Sequence, residues 1–157
     1  MRRRHDSRAD VRLLAEPFDP SIELVMFTSA HPSAGGIASF LGQVRADAGA
    51  DAVEALELRH YEPLTLPAMQ DLAAGALARF GLEGLLIAHR SGEMAPGDPI
   101  VFVAAAARHR RDAFASAEFV MDHLKSESWF WKRERVAGQW RWIEPRTQDY
   151  DDLSRWA

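Results

Sequence analysis

Two long segments of the chain carry apolar residues at the spacing of an amphipathic helix. In the first segment five apolar residues recur every three or four positions: Leu66, Met69, Ala73, Ala76 and Phe80. Pro67 near the start and Gly81 just past the end mark the limits of this helix. The second segment covers residues 112–125. Its predicted apolar stripe consists of Phe114, Ala117, Met121 and Leu124.

The shorter apolar segments favour β-strands, apart from one short helix. Asp19 is a suitable N-cap and Pro20 suits the first helical position, so a helix is predicted over residues 21–27. The other segments are either apolar throughout or alternate between apolar and polar residues, as strands do. The predicted strands cover residues 11–16, 36–45, 53–61, 85–89, 100–105, 129–135 and 140–144.

Turn-forming residues between these strands predict how they pair. Small residues at 46–52 suggest a hairpin between the second and third strands, and residues 95–98 (APGD) form a turn before the fifth. Residues 137–139 suggest a C-terminal hairpin. The predicted fold class is therefore α+β, with a mostly antiparallel sheet, two long helices and a C-terminal β-hairpin. We expect residues 1–157 to form a single domain in which residues 1–9 are disordered.

Composition excludes several classes of function. The 157 residues carry a net charge of −4, which argues against general attraction to nucleic acid or to an anionic membrane. No apolar run approaches the roughly 20 residues that span a bilayer, so we expect a cytoplasmic protein. The chain has no cysteine, which excludes thiolate metal sites and thiol nucleophiles. No metal and no cofactor is predicted.

The basic residues are distributed in an unusual way. Of the 19 basic residues 17 are arginine, and the two lysines are Lys125 and Lys132. An ammonium group can exchange its proton or act as an amine, whereas a guanidinium stays charged. Lysine is therefore a candidate requirement at these two positions, although two surface lysines could also lie close together by coincidence.

The surroundings of Lys132 favour a chemical role. Lys132 follows Trp129, Phe130 and Trp131, and partial burial against aromatic rings would lower the pKa of its ammonium group. An ion pair with Glu134 is the competing interpretation. Lys125 closes the second long helix, where the helix dipole favours a cation, so a structural role would explain it equally well.

A second candidate site is the basic cluster of residues 108–111, Arg-His-Arg-Arg, at the start of the same helix. The helix dipole disfavours cations at this end. The cluster makes sense if an anion binds there, because arginines and free backbone N–H groups then converge on one phosphate or carboxylate. A solvated turn in which the arginines pair with acids such as Asp112 is the alternative.

The order of these motifs resembles that of a known family. The segments concerned are GGIASFLGQVR (35–45), LRHYEPL (58–64), AHRSGEMAPGDPIVFV (88–103), HRRDAFASAEFVMDHLKSESWFWKRE (109–134) and RWIEPR (141–146). Together they closely resemble the large, catalytic subunit of molybdopterin synthase. The resemblance covers residues 35–146, well over half of the chain.

The resemblance implies a sulfur transferase of α/β-hammerhead-like fold. Such an enzyme converts cyclic pyranopterin monophosphate into molybdopterin by forming its dithiolene, in molybdenum cofactor biosynthesis. The sulfur arrives as a thiocarboxylate on the C-terminal Gly-Gly tail of a small ubiquitin-like subunit, which agrees with the absence of cysteine. The family assembles as a heterotetramer around a homodimer of large subunits.

The resemblance also implies a set of site residues. The catalytic residues would be Lys125, as acid/base or charge-stabilising amine, and Lys132, which would hold the substrate and its developing negative charge. The substrate-binding residues would be Gln43, Val44, Arg45, His109, Arg110, Arg133, Glu134 and Arg146. Arg45, His109 and Arg110 are expected to contact the substrate phosphate and pterin oxygens. Arg146 is expected to enter the site of the neighbouring large subunit.

Two positions depart from the family pattern, and two other functions compete. Trp129 stands where many members have proline, and the loop at 46–52 lacks an expected asparagine or histidine. One competitor is an enzyme that forms a Schiff base on a phosphorylated carbonyl substrate through Lys125 or Lys132. The other is a module that binds RNA phosphates through the basic cluster and residues 132–135.

Overall fold

A computed structural model describes residues 8–47, 49–126 and 129–157, and these residues form two four-stranded sheets and four helices. Residues 1–7, most of the segment expected to be disordered, lie outside the described residues. The elements in chain order are β1 (Ala9–Leu14), α1 (Pro20–Ala30), β2 (Gly36–Gln43), β3 (Ala55–His60), α2 (Thr65–Phe80), β4 (Gly84–Arg90), β5 (Gly92–Met94), β6 (Pro99–Ala107), α3 (Arg110–Ser126), β7 (Phe130–Val136), β8 (Gln139–Ile143) and α4 (Thr147–Ser154).

The first sheet, sheet A, has the strand order β1-β4-β6-β2. Strand β1 is parallel to β4, and the other neighbours are antiparallel. Successive side chains of β4 and β6 point to opposite faces, and both faces are apolar. One face packs against α2 and α3 and the other against α1, so β4 is buried along its whole length. None of the helices in the described ranges is both long and apolar enough to cross a membrane.

The second sheet, sheet B, has the strand order β5-β3-β7-β8 and is antiparallel throughout. The predicted C-terminal hairpin is confirmed, because β7 and β8 are joined by the tight turn Ala137–Gly138, in which both residues have positive φ. Leu56, Leu58 and Phe130 face a small apolar cluster between the two sheets. The predicted α+β class and the mostly antiparallel pairing are thus confirmed, whereas the single domain stays a prediction.

The predicted hairpin between residues 36–45 and 53–61 is wrong. Strand β2 pairs with β6 in sheet A, and β3 pairs with β5 and β7 in sheet B. The connecting residues 44–54 exceed the about two to five residues of a hairpin loop, so they can cross between sheets. Val44 begins this crossing, where its N–H and C=O bond to Asp98 and Gly97.

Two smaller predictions also need correction, and two short elements were missed. The first strand begins at Ala9, inside the segment expected to be disordered, and the short strand β5 and the helix α4 were not predicted. Phe114 is 65% exposed rather than buried. The buried stripe of α3 instead follows Ala113, Ala117, Val120 and Leu124. Phe114 follows Ala113 directly and is therefore rotated by about 100° from that stripe.

Thr65, the first residue of α2, connects this helix to the start of strand β7 in sheet B. Its side chain is fully buried, and its hydroxyl accepts a hydrogen bond from the Tyr61 N–H (3.0 Å) and donates one to the Trp129 carbonyl oxygen (2.8 Å). Trp129 directly precedes β7, so this hydroxyl fixes where β7 begins. Trp129 itself packs partly buried against the main core.

We therefore expect Thr65→Val to lower the free energy of unfolding by about 1 to 3 kcal/mol, because both backbone groups lose this partner while the side-chain volume is kept. Thr65→Ser keeps the hydroxyl and should cost much less. Urea unfolding of the two variants measures the difference. A Thr65→Val variant no less stable than the wild type, or one less destabilised than Thr65→Ser, would contradict the role of the hydroxyl.

Candidate active site

The two lysines lie on different elements of the structure. Lys125 is exposed in the last turn of α3. Lys132 lies in the interior strand β7 of sheet B, opposite Leu58 of β3 and Ile143 of β8. Because β7 follows α3 closely in the chain, these two positions come near each other, and their charges interact.

Lys132 is the lysine whose surroundings change its chemistry. Burial lowers the pKa of its ammonium group, and the positive charges of Lys125 and Arg146 lower it further. The carboxylates of Glu134 and Asp149 act in the opposite direction but do not cancel the effect. A lysine with a lowered pKa can give up or take a proton closer to neutral pH.

Two histidines line the buried side of this region. The ring of His89 is stacked on Phe130, with centroids 4.0 Å apart and planes at 13°. Its Nδ1 lies 2.8 Å from the Arg90 carbonyl oxygen. Burial lowers the pKa of His89 to about 4, and the charge of Lys125 contributes, so the ring is neutral. His60 lies opposite Phe130 on β3, where its Nδ1 is buried without a hydrogen-bond partner.

Helix α4 brings Arg146 to the lysines. The Arg146 backbone N–H donates to Asp149 Oδ2 (2.9 Å), and its Nη2 donates to Oδ1 (3.2 Å). The Ser126 hydroxyl donates to the Asp149 carbonyl oxygen (2.7 Å), which ties α4 to the end of α3. Burial alone would raise the pKa of Asp149, but the hydrogen bonds from Arg146 and the charges of Arg146 and Lys125 hold it below its ordinary value.

Arg133 and Glu134, although adjacent to Lys132, have partners within sheet B. The Arg133 guanidinium bonds to Glu57 (2.9 Å) and lies over the rings of Trp140 and Trp142. The side chain of Arg133 points to the face opposite that of Lys132, as alternation along a strand requires. Glu134 accepts hydrogen bonds from Arg141 of β8.

His109 and Arg110 lie at the far end of α3. Arg110 begins the helix and Lys125 is in its last turn, so about 22 Å separates them along the axis. Both residues of the pair are exposed. Gly35 and Gly36 allow β2 to pass directly against them: a Cβ at Gly35 would collide with the carbonyl oxygen of Arg108, and a Cβ at Gly36 would press on Arg110.

Gln43, Val44 and Arg45 lie at the opposite end of β2 from this glycine pair, about 23 Å away. Gln43 and Arg45 are exposed, whereas Val44 is buried. Val44 packs in the cluster that contains Leu58 and touches Phe130. The 43–45 segment is therefore on the lysine side of the molecule.

The structure thus divides the candidate site residues into three groups. Lys125, Lys132 and Arg146 come together, with residues 43–45 on the same side. His109 and Arg110 lie at the other end of the helix, and Arg133 and Glu134 have partners in sheet B. Asp149 and His89 were not predicted from the sequence. An acidic residue in the first turn, here Asp149, is typical of a helix start and could have indicated α4, whereas a lone histidine in an apolar strand gives no such signal.

Comparisons with known proteins identify the family. A model of the MoaE protein family matches residues 13–127. The chain belongs to the MoaE family. The match includes residues 43–45, His109, Arg110 and Lys125, whereas Lys132 and Arg146 lie beyond it. The molybdopterin synthase catalytic subunit of Caulobacter vibrioides is 44% identical over 146 residues, which are 93% of this chain and 96% of that protein.

Solved structures of similar fold agree with the family. The molybdopterin cofactor biosynthesis protein E from Burkholderia multivorans superposes with a TM-score of 0.77 at 42% identity, covering 94% of this chain and 96% of that one. The protein-protein complex of subunits 1 and 2 of the molybdopterin-converting factor from Helicobacter pylori contains a chain with a TM-score of 0.73. That chain is 18% identical, with 87% of this chain and 91% of that one covered, so the likeness is one of fold.

The burial of His89 predicts that stability depends on pH. Its pKa falls from 6.5 to about 4 on folding, so between these values the unfolded chain binds a proton that the folded chain does not. Above pH 6.5 neither state binds this proton, so His89 does not reduce the stability. As the pH falls from 6.5 to about 4, the free energy of unfolding falls by up to about 3 kcal/mol. Urea unfolding from pH 7 to 4 should show a smaller pH dependence for His89→Gln than for the wild type. His109→Gln, at an exposed position, is the control; a His89→Gln curve parallel to the wild type would contradict the assignment.

Proposed function

We propose that this protein is the catalytic subunit of a molybdopterin synthase. It converts cyclic pyranopterin monophosphate into molybdopterin by inserting the sulfur atoms of the dithiolene, and it works in the cytoplasm. The proposal rests above all on one observation, the match of residues 13–127 to the MoaE family. The electrostatic interaction of Lys132 with Lys125 and Arg146 supports it. The name of the Caulobacter relative supports the same reaction.

Sulfur reaches the site on a partner. A small ubiquitin-like subunit carries a thiocarboxylate at the end of a Gly-Gly tail, and glycines without side chains can enter a narrow channel. The name "catalytic subunit" of the relative and the two-subunit complex from Helicobacter pylori are consistent with such a partner. The chain itself needs no cysteine, because it never carries the sulfur.

The chemistry assigns separate roles to the two lysines. The thiocarboxylate sulfur forms a bond to a substrate carbon while a carbon–oxygen bond at that carbon breaks and the departing oxygen takes up a proton, which links the partner's terminal glycine to the substrate through an acyl–sulfur bond. Water then cleaves that bond, leaving the sulfur on the substrate and a carboxylate on the partner. Lys125 transfers protons or stabilises charge during the attack, and Lys132 holds the substrate and its developing negative charge.

The substrate phosphate needs cations from both ends of α3, which one chain cannot bring together. Within the described residues β2 is an edge strand of sheet A, and it exposes Phe40 and Leu41. If two copies of β2 pair antiparallel about a two-fold axis, the start of one strand meets the end of the other. His109 and Arg110 of the partner subunit then lie beside Arg45 at the lysine end. The homodimer is proposed on this geometry.

Gln43, Val44, Arg133 and Glu134 complete the proposed substrate site. Gln43 would contact the pterin directly, and the buried Val44 would shape the wall beneath it. Arg133 and Glu134, fixed by their partners in sheet B, would hold the strand that carries Lys132. That Arg146 acts in the neighbouring subunit stays a prediction; in its own chain it already affects the pKa of Lys132.

The lowered pKa of Lys132 also favours a second candidate function. A neutral amine is the form that attacks a carbonyl group, so a Schiff-base enzyme acting on a phosphorylated carbonyl substrate is the alternative. Borohydride trapping of a covalent adduct in the absence of any protein partner would favour it. Dithiolene formation from thiocarboxylated small subunit and pterin precursor would favour the synthase.

We expect Lys125→Arg to fold normally but to lose most of its turnover. Arginine keeps the charge at the helix end but cannot exchange a proton near neutral pH. Lys132→Arg should mainly weaken substrate binding, since a guanidinium still attracts a phosphate. Single-turnover dithiolene formation with saturating small subunit, with thermal melts as the folding control, separates the two effects. Turnover near the wild-type level in Lys125→Arg would reduce that residue to a helix-end cation.

Mixed dimers identify the residues that act across the interface. Lys125→Ala and His109→Ala chains should each be inactive alone. A mixed dimer should regain activity, because one of its two sites is then intact if His109 acts in trans. The pair Lys125→Ala and Arg146→Ala gives the same test for Arg146. Recovery with His109→Ala but not with Arg146→Ala would place Arg146 in its own subunit's site. No recovery with His109→Ala would rule out the proposed strand pairing.

A further inference from the structure

We propose that Asp149 is a positioning residue of the lysine site, which fixes Arg146 and the Lys125 end of α3 relative to each other. The inference rests on the proposed function for its role in turnover, but its geometry does not depend on that function. Asp149 is almost fully buried on a helix that is otherwise largely exposed.

Asp149 makes contacts in two directions. Its carboxylate accepts from both the backbone and the side chain of Arg146, which holds the guanidinium at the start of α4. Its carbonyl oxygen accepts from the hydroxyl of Ser126, the residue that follows Lys125. Side chains on α3 and α4 are thereby held in one arrangement through a single residue. The Arg146 side chain is itself 77% exposed, so this carboxylate is what orients it.

Asp149 also supplies negative charge to a region crowded with positive charge. Lys132 faces Lys125 from α3 and Arg146 from α4, while Glu134 lies on its own strand. Glu134 is itself bound by Arg141 of β8. On the inner side, His60 and the neutral His89 flank Phe130.

Removing the carboxylate charge should therefore make the charged form of Lys132 less favourable. The pKa of Lys132 should fall in Asp149→Asn, because the carboxylate charge that raises it is removed. The asparagine oxygen can still accept from the Arg146 N–H, so the helix cap is largely kept. Arg146→Gln should shift the pKa in the opposite direction, because it removes a positive charge.

The chain is suited to a direct measurement, because it contains two lysines. Incorporation of lysine labelled with ¹³C at Cε gives two signals, which Lys132→Arg assigns. A pH titration followed by NMR then reports each pKa without any substrate. The control is Asp151→Asn, an exposed aspartate on the same helix, which should leave both titrations unchanged.

Two readouts separate this inference from the proposed function. An unchanged Lys132 titration in folded Asp149→Asn would overturn the positioning role even if the wild type makes dithiolene. A shifted titration in a protein that makes no dithiolene would retain the positioning role and reject the synthase. If both hold, the pH profile of single-turnover sulfur transfer should move to lower pH in Asp149→Asn by the same amount as the titration, and substrate binding should weaken more than the maximal rate falls, because Lys132 holds the substrate. Should Asp149→Asn not fold, the upward shift in Arg146→Gln must be seen for the inference to stand.

Discussion

Helix α3 is a rigid rod of about 25 Å, and its length decides how this protein can work. In the proposed synthase its basic N-terminus and its lysine-bearing C-terminus both bind the anionic substrate, yet no single substrate phosphate can touch both in one chain. Ala113, Ala117 and Val120 lie in the same core cluster as the apolar side chains of β6, so the helix packs against sheet A. A shared site between two copies is the arrangement that satisfies this constraint.

The C-terminal end of the rod owes its order to contacts with the second sheet. Thr65 fixes the backbone at Trp129, and His89 stacks on Phe130, so β7 leaves the helix end at a defined place. Lys132 follows two residues later, on the same face as Phe130. The cost of this arrangement is a histidine that must stay neutral and a lysine whose charge is only partly solvated. Such groups are common where protons are moved, since burial brings their pKa values toward the working pH.

Much of this could be predicted from local sequence, and the exceptions have physical causes. The cap at Asp19, the stop at Gly81 and the turn at Ala137–Gly138 depend on a few adjacent residues, and each was predicted. The partner of β2 was not, because both β3 and β6 offer apolar strands and local pattern does not choose between them. Residue usage marked the lysine pair as a candidate, and its catalytic role stays a prediction. Asp149 and His89 were missed because their importance comes from what is packed around them in three dimensions.

Gly35 occupies a position where this fold does not accept a side chain. Because Gly35 has no side chain, β2 can pack directly against the carbonyl oxygen of Arg108. This contact holds the backbone that presents His109 and Arg110. Even alanine there would push that turn away and displace two cations without altering either of them. A genetic screen for loss of molybdenum cofactor synthesis should therefore recover substitutions of Gly35. Mutagenesis restricted to ionisable residues would miss this position.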